Sequence, residues 1–94
     1  MMQVGTLEII LDLGGIHSLK QKRGIIKGLL SKIRKKFEVA AAEIAEQDTI
    51  RSTCLGFSAV GNDASMLQSR LQKIVNFIEL DGQTVIIDFR MDIL

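Results

Sequence analysis

The hydrophobic residues of this chain change spacing from two to three-or-four and back, twice over, and that succession restricts the fold more than any other feature. Leu7, Ile9, Leu11 and Leu13 alternate with Thr6, Glu8, Ile10 and Asp12, the period of a strand with one buried side. Gly14-Gly15 breaks the pattern, and Ser18 with Gln21 three residues on has the spacing of a helix N-cap and capping box. Ile26, Leu29, Leu30, Ile33 and Phe37 then recur at three and four residues and form one apolar stripe with Leu19. Val39 to Ala45 reads as a short strand rather than more helix, because Phe37 ends the stripe and another strand-like run is close. Glu46 to Arg51 is then a polar turn.

Ser52 to Val60 places Leu55, Phe57 and Ala59 on one side and Cys54, Gly56 and Ser58 on the other. Asn62 and Asp63 supply N-cap chemistry for a second helix, whose stripe is Leu67, Leu71, Ile74, Val75 and Ile78. Asp81-Gly82 closes it. Val85, Ile87, Phe89, Met91 and Ile93 then alternate with Ile86, Asp88, Arg90 and Asp92 in a last strand. The order βαββαβ predicts an α+β ferredoxin-like plait, a four-stranded antiparallel sheet with two helices on one face.

At 94 residues, with 47% hydrophobic and 24% charged positions, the chain reads as a single domain spanning residues 1–94 with one ordinary core. No apolar run approaches the roughly 20 residues needed to cross a bilayer, so no membrane partner is expected. Met1 to Asp12 has no basic leader and carries Glu8 and Asp12 within its apolar stretch, unlike a secretory signal. A cytosolic location is expected. The single Cys54, which cannot close an intramolecular disulfide, agrees with it.

The net charge of +1 conceals a sharp polarity. Ser18 to Phe37 holds Lys20, Lys22, Arg23, Lys27, Lys32, Arg34, Lys35 and Lys36, which is 8 of the 12 basic residues, and no acid; the other 4 bases share the rest of the chain with all 11 acids. A helical projection gathers Lys20, Arg23, Lys27 and Arg34 on one flank, a surface suited to a phosphate backbone or simply to solvent. The absence of acids favours a partner, because a merely solvated helix would gain from acid–base pairs at i,i+4. Lys22 instead projects toward the apolar stripe, so it reads as a snorkelling or paired residue with Glu43, Glu46 or Asp48 as partner. Gly24 and Gly28 weaken the helix and admit two explanations, close packing within the chain or close approach of a partner.

Other candidate chemistry is sparse. Gly14, Gly15 and Ser18 lead into a helix N-terminus and form a weak candidate anion loop, which is also simply a turn. One histidine and one cysteine offer no metal-ligand cluster, so no zinc or other cofactor is expected. Glu43 and Asp48 form a possible carboxylate pair, but they read better as partners of basic residues. Cys54 reads as an inert, buried thiol. RNA-binding plaits often stack bases on sheet aromatics; here Phe57 shares its side with core residues, and Glu8, Asp12, Asp88 and Asp92 make the other side of the sheet acidic.

Ser18-Leu19-Lys20-Gln21-Lys22-Arg23, together with Phe37, Val39, Glu43, Gln47-Asp48, Leu55-Gly56 and Val60, resembles the SLKxKR signature and flanking pattern of the small bacterial YlxP-like proteins, a domain family of unknown function. The similarity runs nearly end to end. Gly24, Gly28 and the small residues Ala40 to Ala42 depart from it. The resemblance implies a ferredoxin-like fold and, because genes of the family often lie beside ribosome-maturation and translation factors, an RNA or ribosomal partner.

The expected function is therefore a noncatalytic RNA- or ribosome-associated module that binds through Lys20, Arg23, Lys27 and Arg34. The alternative is a structural homo-oligomer joined through the uncovered sheet face, with Val39, Ala41, Ile10 and Ile86 on it. A catalytic alternative, an acylphosphatase-like enzyme, suits the plait but lacks the arginine which that family places in the loop before the first helix.

Overall fold

The computed structural model describes residues 1–94. The elements follow in the order β1 (Gln3–Asp12), α1 (Leu19–Lys36), β2 (Ala40–Ala45), β3 (Ser52–Gly61), α2 (Ala64–Asp81) and β4 (Val85–Ile93). The strands form one sheet in the order β2-β3-β1-β4, and every neighbouring pair is antiparallel. This is the ferredoxin-like plait that the alternating periods predict.

Local chemistry places the helix ends. The Ser18 hydroxyl accepts from the Gln21 amide at 3.1 Å, while the Gln21 side chain reaches one residue past the cap and accepts from the His17 amide at 2.8 Å. Asp63 accepts from the amides of Ser65 and Met66 to start α2, and Gly82, at φ 72°, ends it in the left-handed conformation that glycine adopts without strain. The core lies between the sheet and the helices. Leu7, Ile9, Leu11, Leu55 and Phe57 supply the sheet side; Ile26, Leu29, Leu30 and Ile33 of α1 and Leu71, Ile74, Val75 and Ile78 of α2 supply the other. At Gly5 the packing of β1 against α2 is close, because a β-carbon there would stand 2.9 Å from Leu71 Cδ1.

Two irregularities correct the strict alternation read from sequence. Between the pairs Ile10–Asp88 and Leu11–Ile86, β4 carries one extra residue, Ile87. This bulge turns Ile86 onto the helix side, where it packs against the core, and leaves Val85 and Ile87 64% and 60% exposed. Val39 and Ala41 also pack against the core, so of the four residues expected on the uncovered face only Ile10 lies there. The second bulge adds Ile44 to β2, and its side chain folds over Gly56.

Candidate functional site

Lys22 occupies the inward stripe of α1 and is 1% exposed. Its ammonium lies 3.1 Å from Glu43 Oε2, donates to the Thr49 carbonyl at 2.5 Å, and donates also to the Glu46 carbonyl. An ammonium has three donors, and all three find an acceptor here. Thr53, buried on β3, donates its hydroxyl to the same Glu43 oxygen. Glu46 holds a positive φ of 67°, braced by the Thr49 hydroxyl on its carboxylate at 2.9 Å. Of the three partners expected for Lys22, Glu43 contributes its carboxylate and Glu46 its backbone, whereas the exposed Asp48 makes no ion pair. The arrangement ties the start of α1 to β2 and to the β2–β3 turn.

With Lys22 facing inward, the other cations of α1 fall into distinct surroundings. Lys20, Arg23, Lys27 and Lys35 are exposed and have no carboxylate within 4 Å. Arg34, on the same flank, donates to the Ala41 carbonyl of edge strand β2, so this flank overhangs the sheet edge. Lys32 pairs with Asp81 of α2 at 3.3 Å, and Lys36 sits 5.4 Å above the Phe77 ring. A β-carbon added at Gly24 or Gly28 would meet nothing within 4 Å. Close packing within the chain therefore does not explain either glycine.

Sequence reasoning missed a second set of cations because it is assembled only by the fold. The last turn of α1 and the first turns of α2 enclose an open groove of about 550 Å³, lined by Lys36, Phe37, Glu38, Met66, Arg70 and Lys73. Phe37 packs edge-on against Phe77 at 6.0 Å, and Arg70 donates to the Glu38 carbonyl at 3.2 Å.

The remaining candidates have other engagements. In the loop before α1, the Gly14 amide donates to the Asp12 carboxylate at 2.7 Å, and the Ser18 hydroxyl is occupied as a cap. Cys54 is half-buried on the uncovered sheet face beside Glu8, Ile10 and Asp88. Its burial first, and then the carboxylates of Glu8 and Glu46, push the thiol pKa up, which keeps it protonated and weakly nucleophilic. Around it Glu8, Asp12 and Asp88 are exposed, and Arg90 is turned to Asp92 at 3.0 Å. No helix is long and apolar enough to cross a membrane.

Fold and surface together define a small α+β plait with a cationic helical layer and an acidic open sheet face. The chain belongs to the family described as "Protein of unknown function (DUF503)", which matches residues 4–91. It is similar to the uncharacterized protein YlxP of Bacillus subtilis (strain 168), with 38% identity over 71 residues that cover 76% of this chain and 74% of that protein.

Proposed function

We propose that this chain is a noncatalytic cytosolic module that binds RNA, alone or within a ribosomal particle, through the outer flank of α1. The observation that carries the reading is that Lys20, Arg23 and Lys27 stand exposed and unpaired on a helix without a single acid. Lys20–Arg23 and Arg23–Lys27 are like-charged neighbours at i,i+3 and i,i+4, each costing about 0.2–0.5 kcal/mol, and Gly24 and Gly28 cost up to about 1 kcal/mol more apiece. No carboxylate of the protein pairs with these three cations, whereas a polyanion laid along the flank would. The acidic sheet face directs such a partner to the helical side. An anion-binding enzyme has less support, because Asp12 already occupies the Gly14 amide and the Cys54 thiol is a poor nucleophile.

The test is Arg23→Glu with Lys27→Glu, which should abolish binding to single-stranded RNA and cosedimentation with ribosomal particles while leaving the fold intact. For the parent, three or four phosphate contacts through Lys20, Arg23, Lys27 and Arg34 give a logarithmic salt slope of roughly −2 to −3. Ser18→Ala should lower stability by about 1 kcal/mol through the lost cap without changing RNA affinity of the folded protein. Undiminished cosedimentation of the charge-reversed protein in low salt removes α1 from the argument.

A second reading, self-association, is favoured by the apolar group Ile10, Val85 and Ile87 exposed on the open sheet face.

A further inference from the structure

We infer that the groove between the end of α1 and the start of α2 is a second contact for RNA, and that it takes an unpaired nucleotide. The inference rests on the proposed function and extends it to residues of α2. Met66, Arg70 and Lys73 are spaced i, i+4 and i+7, so they form one stripe on α2, and Lys36 faces them from α1. Arg70 uses one of its five N–H donors on the Glu38 carbonyl; Lys73 has no carboxylate within 4 Å. Two like charges at i,i+3 with Lys36 opposite leave a cationic lining in which Glu38 is the single acid.

The same groove exposes apolar surface. Met66 is 65% exposed on the first turn of α2, and Phe37 is only half-buried at the groove wall. A cationic rim beside an apolar patch matches a strand whose phosphates and bases are both accessible, which is the condition of single-stranded RNA. A duplex would present phosphates and leave Met66 and Phe37 without a partner. The groove lies across α1 from the flank already described, because Arg34 reaches the β2 edge whereas Lys36 sits over Phe77 of α2; a strand that used both would cross the last turn of the helix, where Lys35 is exposed. A repeating polyanion can reach both sides of the helix; a compact anion would use one.

The experiment measures fluorescence anisotropy with a labelled twelve-residue oligouridylate, a duplex RNA of equal length and a decaglutamate peptide, across 50–200 mM salt. Lys73→Gln, an exposed change that leaves packing untouched, should weaken oligouridylate binding about threefold or more and reduce the salt slope by about 0.7, the increment for one single-strand phosphate contact. Met66→Ser should weaken the oligouridylate severalfold, leave the salt slope as it was, and leave the duplex unaffected. Unchanged oligouridylate affinity in both variants, while Arg23→Glu with Lys27→Glu still abolishes binding, overturns the groove and spares the α1 reading. Absence of RNA binding by the parent overturns both. Decaglutamate binding that matches the oligouridylate and shows the same Met66 dependence assigns the groove to an acidic peptide and overturns the inference.

Discussion

The Lys22 ammonium and the Glu43 carboxylate meet at 3.1 Å across the α1–β2 junction, the lysine almost wholly buried and the glutamate side chain 19% exposed. Two backbone carbonyls and the Thr53 hydroxyl complete the cluster, so each removal strands a different group. Lys22→Met leaves Glu43 without its cation and two carbonyls without a donor, and should cost about 3 kcal/mol or more. Glu43→Gln keeps an oxygen that can accept from Lys22 and should cost less, roughly 1–2 kcal/mol. Urea denaturation of both variants checks the order; a cost below 1 kcal/mol for Lys22→Met would show that the cluster does not hold the helix.

Gly24→Ala and Gly28→Ala should each stabilise the protein, because the added β-carbon meets open space and the helix gains up to about 1 kcal/mol per site. For a domain of this size that corresponds to roughly 4–8 °C in Tm at the upper limit. If a phosphate backbone rests against these glycines, the same variants bind RNA more weakly. A rise in Tm together with full RNA affinity would place the partner's backbone elsewhere on the flank.

Cys54 should alkylate slowly with iodoacetamide near neutral pH and accelerate only above the ordinary thiol range. Glu8→Gln removes one of the lesser causes of the raised pKa, so it should speed the reaction modestly at a fixed pH of about 8.5, with burial still limiting. The sign for stability follows from proton binding. The folded state holds the thiol proton more tightly, so this contribution is complete below the unfolded thiol pKa and is lost as pH rises through the higher folded one. Alkylation as fast as that of the urea-unfolded chain at neutral pH would refute the assignment.

Self-association through the open sheet face should be broken by Ile87→Lys, since an ammonium in a dry contact loses hydration without a partner. Ile86 is the wrong position for that test because it packs against the core, where Ile86→Lys would disturb the fold itself. Sedimentation velocity of the parent and of Ile87→Lys decides the matter, and a monomeric parent at high concentration disposes of this reading.

The succession of strands and helices was legible because each element keeps its hydrophobic period long enough to be counted, as Leu7 to Leu13 and Leu67 to Ile78 do. The bulges at Ile44 and Ile87 were not, since one inserted residue changes the side on which its neighbours lie without changing their character. Lys22 betrayed itself as a cation within an apolar stripe. Its carbonyl acceptors at Glu46 and Thr49 did not, because every residue carries such a group and only the turn geometry selects two of them. Arg70 and Lys73 drew no notice for a related reason: their association with Lys36 exists only after α2 has docked beside α1.

Arg34 has a consequence apart from any ligand. By bonding to the Ala41 carbonyl, it occupies a backbone acceptor on a strand that has a neighbour on one side only. Open strand borders invite chains to add to one another into fibrous aggregates, and proteins commonly guard them with a charged side chain. The opposite border, β4, carries its own safeguard in the bulge at Ile87, which interrupts the regular ladder an incoming strand would need. A sheet with both borders obstructed can remain four strands wide at high concentration, where an unguarded one would become a template for growth.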